Sequence, residues 1–243
     1  MNRTIGIITV RQLLGRRRTL LLAGLGALMV LVAVIHALGD DPADPAEWTT
    51  QLLSTFGLAT LLPLVALIIG TGAFGAEIDD GTIVHVLAKP IARWRIVGTK
   101  LIVAALLTSV LTVVPIVVAA TVAGGDRGLT LALAFGAGGI LGSLVYCALF
   151  VAAGLVTSRA FIVGLIYVLV WEGFLAGLFA GTRTFSVRQQ ALAMADAIAD
   201  VSGVLGEMLA TPTALVVAAL AVAAAVIVAV RRLSAFEIRG ETA

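Results

Sequence analysis

An all-α polytopic membrane protein with six transmembrane helices and both termini cytoplasmic is the fold that the sequence predicts, and three observations predict it. The 243-residue chain is 60% hydrophobic and only 12% charged, where a soluble domain carries about 25% charged residues. Its apolar residues gather into six runs, at 19–38, 52–74, 101–122, 129–156, 160–180 and 213–230, each long enough for a hydrocarbon layer about 30 Å thick. Its bases crowd onto one side of those runs: all Lys and Arg fall on the inner side except Arg127, Arg183 and Arg188, the positive-inside pattern. The first observation excludes a water-soluble globule. The second leaves no connection that could house a separate domain, so residues 1–243 read as one transmembrane unit. Any soluble catalysis belongs to another chain.

The elements follow in order. Residues 1–18 form a cytoplasmic segment with Arg3, Arg11 and the Arg16, Arg17, Arg18 cluster, a basic topogenic signal drawn to anionic headgroups. The first run exceeds the apolar core of a cleavable signal, about 7–15 residues, and lacks a small-x-small exit, so it reads as an uncleaved anchor. The outer loop 39–50 carries Asp40, Asp41, Asp44 and Glu47 without a base, and Trp48 suits the interface. Pro63 and Pro115 predict bends in the second and third spans. In the fourth, Gly136, Gly138, Gly139 and Gly142 form a small-residue stripe whose ordinary meaning is close helix packing. The single cysteine, Cys147, reads as a small buried apolar side chain. Between the fourth and fifth spans only 157–159 remain, too short for a docking helix.

Three segments carry polar chemistry. In the cytoplasmic connection 75–100, Glu77, Asp79 and Asp80 suit a helix N-terminus, Lys89 its other end, and Pro90 the stop. Ile83, Val86 and Leu87 then share one face. Such a helix can rest on lipid or sit in a groove on a soluble partner. Glu172 is the ionisable residue placed well inside a span, where a carboxylate costs about 2.5 kcal/mol or more and needs a partner, water or a proton. It reads as a helix–helix contact, as a residue lining a translocation path, or as a proton site. The extracytoplasmic segment 181–212 is amphipathic, with Val187, Met194, Ile198, Val201, Leu205 and Met208 on one face and Gln189, Asp196, Asp200 and Glu207 on the other. Its default expectation is to lie flat at the outer interface, with Gly203 and Gly206 dividing it.

Other classes lack their residues. The run from Gly70 to Gly75 continues into Ala76 and Glu77 without the lysine of a phosphate-binding loop. His36 and His85 stand alone in sequence, too few for a metal site. No catalytic residue, bound cofactor or nucleic-acid surface is expected.

The connection resembles the cytoplasmic loop between the second and third spans of ABC-2 type transporter permeases. The residues that carry the resemblance are Glu77, Gly81, Thr82, Ile83, Val86, Leu87, Lys89, Pro90 and Arg93, with Gly98, Thr99 and Lys100 beyond. A basic N-terminal segment, six ordered spans, and the fifth-span stretch containing Tyr167, Trp171 and Glu172 extend it over the chain. What the resemblance implies is a type V exporter-like permease of the inner (cytoplasmic) membrane. Such a permease pairs with a second copy or a related permease, and docks on separate ATP-binding cassette ATPase subunits through this loop, the coupling helix. ATP and Mg would be held by the partner ATPase. The resemblance also implies an interfacial helix at the N-terminus and a lid over the outer exit from the elements before the sixth span. Direction of transport rests on the resemblance, and the substrate is left open. Two other classes compete: a proton-coupled secondary transporter using Glu172, and a non-transporting membrane scaffold.

Overall fold

In hydrocarbon a backbone N–H or C=O has no water to bond, so an apolar run closes its hydrogen bonds internally as a helix. The computed structural model describes residues 16–39, 43–79, 92–176, 181–206 and 208–240, and among them every regular element is helical. Helix α1 spans Arg16–Leu38, and α2, Pro45–Leu52, runs through a π-wound stretch, Leu53–Leu61, into α3, Leu62–Asp79. Helix α4 spans Arg93–Ala123 and α5 spans Gly128–Val156, with a tight turn at Gly125–Arg127 between them. Helix α6, Ala160–Ile166, continues into a second π-wound stretch, Tyr167–Leu175. After a turn at Arg183–Phe185 come α7, Val187–Ala199, the short α8, Ser202–Leu205, and α9, Thr211–Gly240.

Five of these helices are long and apolar enough to cross a membrane: Leu20–Leu38, Pro45–Gly75, Arg93–Ala123, Gly125–Val156 and Thr211–Ala235. The predicted fifth span is shorter. Its apolar helix is Ala160–Leu175, about 24 Å at 1.5 Å per residue, and residues 177–180 lie outside the described residues.

Helix α5 is the centre, packed by α3, α4, α7 and α9. In its apolar window 61% of residues are buried, against 22% in α1 and α9, which form the rim. The outward surface is itself apolar: Leu21, Leu106, Leu129, Leu133, Leu169 and Leu220 are all exposed. A continuous coat of this kind belongs in lipid.

Several expected boundaries move. The second span begins at Pro45 rather than 52, because Asp44 caps it, accepting from the N–H groups of Ala46 at 2.8 Å and Glu47 at 3.0 Å, and Pro45 needs no donor at the first position. Trp48 stacks on His36 with ring centroids 3.7 Å apart, closing the α1–α2 junction, so His36 is not isolated. At the opposite end Glu77 and Asp79 lie in the last turn of α3, not at the start of a new helix. The adverse dipole there costs only fractions of a kcal/mol, too little to stop a helix carried on by a packed apolar run. Likewise Arg93 to Lys100 are helical, so the connection expected at 75–100 narrows to 80–92.

Glycines mark where backbones meet. A Cβ on Gly26 of α1 would stand 2.6 Å from Pro115 Cγ and 3.6 Å from the carbonyl oxygen of Leu111. On α5, a Cβ at Gly138 would strike the carbonyl of Ala191, and one at Gly142 would lie 2.6 Å from Leu62 Cδ2 and 3.5 Å from Ala191 Cβ. Gly138 and Gly142 therefore seat α7, while Gly136 and Gly139 face Val113 of α4.

That seating corrects the expected flat helix. Helix α7 is packed into the bundle with Val187, Ala191, Leu192, Ala195 and Ala199 buried, while Ile198 is 42% exposed. Of the larger residues on the expected apolar face, Val187 and Val201 are buried and Leu205 and Met208 pack against the core, while alanines fill the closest approach. In lipid the large side chains lose nothing by facing outward, whereas small ones allow the backbones to close. Nor do the glycines alone divide the segment: α7 ends where Asp200 takes a left-handed φ of 47°, and α8 ends at Gly206, φ 84°.

Gly138→Ala should lower stability by about 1–3 kcal/mol, since a backbone carbonyl cannot yield to the new methyl. Gly136→Ala, whose Cβ would meet Val113 at an ordinary 3.5 Å, should change it little. Thermal unfolding of the two variants in detergent compares them directly.

Candidate functional site

Two places gather the polar residues that the sequence singles out. The first is the frame of the connection between α3 and α4. Gly81, Thr82, Ile83, Val86, Leu87, Lys89 and Pro90 lie outside the described residues. Glu77 belongs to the backbone of α3, and Arg93 opens α4 and is half-buried. Besides apolar packing, a polar contact made by Lys100 joins these two helices. This residue is 1% exposed, its Nζ donates to the carbonyl of Ala73 at 2.6 Å, and the same nitrogen stands 4.3 Å from the ring centroid of Phe74.

The ammonium is thus satisfied by a charge-assisted hydrogen bond and an aromatic face, the two partners that make a buried cation tolerable. Sequence reading left Lys100 among the loop bases. The available signal was its phase: Ile96, Val97, Lys100, Leu101 and Ala104 recur at helical spacing, and all are buried.

The second place is Glu172, 6% exposed. Its Oε1 accepts from the Tyr167 hydroxyl at 3.2 Å and from the backbone N–H of Val187 at 2.8 Å. Its Oε2 accepts from the Ser186 hydroxyl at 2.5 Å. The π winding explains the Tyr167 contact. In an α-helix residues five apart point about 140° away from each other, whereas a π turn, closing i to i+5, stacks them.

Ser186 explains the other two contacts. It caps α7, its oxygen accepting from Gln189 N–H at 3.2 Å while its proton goes to Glu172. The carboxylate therefore sits at the N-terminus of α7, where free N–H groups and the positive end of the helix dipole favour it. Phe150 and the buried Tyr146 build the adjoining wall: Tyr146 stacks on Phe150 at 5.9 Å, and Phe150 meets Tyr167 edge-on at 6.3 Å.

Trp171, next to Glu172, is half-buried. Cys147 is buried, its sulfur 3.2 Å from the Thr108 hydroxyl across the α4–α5 contact. Among the described residues no three His, Cys, Asp or Glu side chains gather as metal ligands would. The arrangement fixes helices: Glu172 ties the α6 arm to α7, α7 is seated on α5, and Lys100 ties α4 to α3.

Residues 14–187 match the family model described as ABC-2 family transporter protein. Comparison with individual curated proteins gives no match. The matched stretch runs from α1 through Glu172 to the first residue of α7, so it includes both polar sites.

Glu172→Ala, which leaves the Val187 N–H and the Ser186 hydroxyl without their acceptor, should cost about 1–3 kcal/mol. Glu172→Gln, which keeps one carbonyl, should cost less, as thermal unfolding in detergent would reveal. Lys100→Met, which removes the charge-assisted bond to the Ala73 carbonyl, should lower stability by about 1.5–3 kcal/mol and still accumulate in the membrane. Lys100→Glu should fail to accumulate in the membrane, since it aims a carboxylate at the Ala73 carbonyl; quantitative immunoblotting of membranes separates the two.

Proposed function

Because the chain belongs to the ABC-2 family of transporter proteins, we propose that it is the permease subunit of an ATP-binding cassette exporter in the cytoplasmic membrane. It crosses six times with both termini inside, the fifth crossing being completed by α6, its π-wound continuation and the segment that follows. The observation that carries this reading is the family match over residues 14–187. It is supported by two long membrane helices, α3 and α4, joined through the 80–92 connection and bound to each other by Lys100.

In this reading the drive comes from a partner chain. ATP, with Mg, is held and hydrolysed on a separate ATPase subunit, whose closure pushes on the helix around Gly81, Thr82, Ile83, Val86 and Leu87. Glu77 and Arg93 stand at the two roots of this connection, with Lys89 and Pro90 closing its helix. Displacement of the connection is delivered to α3 and α4 together, since the Lys100 bond to Ala73 O resists their separation.

Two ATPase subunits need two permease copies, as a homodimer or with a related permease, around a two-fold axis. Glu172 acts in this reading as an anchor between the α6 arm and α7, with Trp171 beside it at the π turn. Both carboxylate oxygens are engaged by donors, which favours a fixed contact over a proton carrier. The scaffold alternative has no specific observation in its favour.

Substitution of Asp at Ile83 or Leu87 should abolish co-purification with the ATPase and transport-coupled ATP turnover while leaving the permease folded. Unchanged association and turnover in a variant with wild-type thermal unfolding would remove the coupling role.

A further inference from the structure

Beside α7, away from the Glu172 contact, lies a cavity of about 350 Å³ between the α2–π junction and the 183–208 segment. Two of its walls are Arg183 and Arg188. Each has its Nε buried without a hydrogen-bond partner among the described residues, and among those residues no Asp or Glu lines the cavity. Among the described residues, two guanidinium groups thus face one small space with no carboxylate beside them, an electrostatic deficit. Their planar forks match the oxygens of a phosphate or carboxylate.

The rest of the lining sharpens the choice. Ser54 and Thr55 also face the cavity, but their hydroxyls donate to the Gln51 carbonyl at 3.0 and 2.6 Å. The donors left for a guest are the arginines and the side-chain amides of Gln51 and Gln189, and the two positive charges among them favour an anion over a neutral polyol. Leu192 and Met208 give the cavity an apolar side, which suits an anionic group carried on a lipid or other amphiphile.

The adjoining cavity, about 480 Å³, is opposite in character, with Asp44, Glu47, Asp126 and Asp200 against the one base Arg127. Arg127 is occupied, donating to the carbonyl of Ala199. An anion entering this end of the bundle is thus repelled from one cavity and drawn to the other. The smaller volume falls within the range of small-molecule pockets, about 300–1,000 Å³.

We propose that this cavity is a binding site for an oxyanion group, phosphate or carboxylate, held by Arg183 and Arg188. It goes beyond the coupling reading and does not depend on it.

The test uses the purified full-length chain in neutral detergent, without ATPase, titrated calorimetrically with dihexanoylphosphatidylglycerol, glycerol phosphate and dihexanoylphosphatidylcholine. Saturable binding of an anionic probe is expected, weakened at least tenfold in Arg183→Gln and Arg188→Gln and by less in Arg188→Lys, which keeps the charge but loses the fork. Tighter binding of the phosphatidylglycerol than of glycerol phosphate assigns the guest to an amphiphile, and equal binding assigns it to the free anionic head.

Should the Gln variants not fold, phenylglyoxal modification of the wild-type chain gives the same answer. A bound anionic probe should slow modification of Arg183 and Arg188, read by peptide mass spectrometry. No saturable binding, equal binding of phosphatidylcholine, or no protection of either arginine overturns the proposal. Any of these leaves the ATPase-coupling reading standing, and loss of that reading leaves this site untouched.

Discussion

Helices in lipid gain little by hiding leucine from leucine-like surroundings, so what binds them is close approach and a few satisfied polar groups. In this chain α5 supplies the approach. Its Gly138 and Gly142 bring the backbone and Cβ of Ala191 against the centre of the bundle, and α7 thereby becomes an internal strut. Once α7 is fixed, the Ser186 cap, the Val187 N–H and the Glu172 carboxylate come within hydrogen-bonding distance. The α6 arm is then tied to the same centre. Two cavities are left on the far side of α7, one acidic and one basic.

The two π-wound stretches serve this packing. Leu53–Leu61 precedes Pro63 in the α2–α3 rod, and its wide turn is signed by the Thr60 hydroxyl reaching back five residues to the Thr55 carbonyl at 3.0 Å. Tyr167–Leu175 aligns Tyr167 with Glu172. A π winding is less favourable than an α one and is commonly found at functional places in helices. Here each lies where a helix faces α7 or one of the cavities that α7 bounds.

How much of this was legible depended on range. Five of the six expected crossings were plain because apolar runs about 20 residues long admit few other structures. Their ends were not. Arg93, Arg95 and Lys100 look like loop residues by charge, yet α4 includes them because Ile96, Val97 and Leu101 pack on the same side. The amphipathic pattern of 187–208 suggests a helix lying flat at the interface. The bundle instead takes it in, burying Val187 and Val201 from the expected face together with Ala191, Ala195 and Ala199, and leaving Ile198 exposed. Glu172 could be flagged by its cost in a span, but its partners Ser186 and Val187 lie across a turn, and no local spacing encodes them. The Asp44-Pro45 start of α2, by contrast, stood in the sequence as an ordinary cap followed by a first-turn proline.

Pro115 has an effect on the rim as well as on its own helix. Lacking an N–H, it strips the carbonyl of Leu111 of its usual donor, and a bare carbonyl facing acyl chains is costly. Gly26 lies against that very spot, close to the oxygen and to the proline ring. Helix α1, the least enclosed member together with α9, therefore works as a shutter over a polar flaw in α4. Detaching it would strip away more than an anchor: it would open the bundle's flank to hydrocarbon at the one point where α4 cannot mend itself.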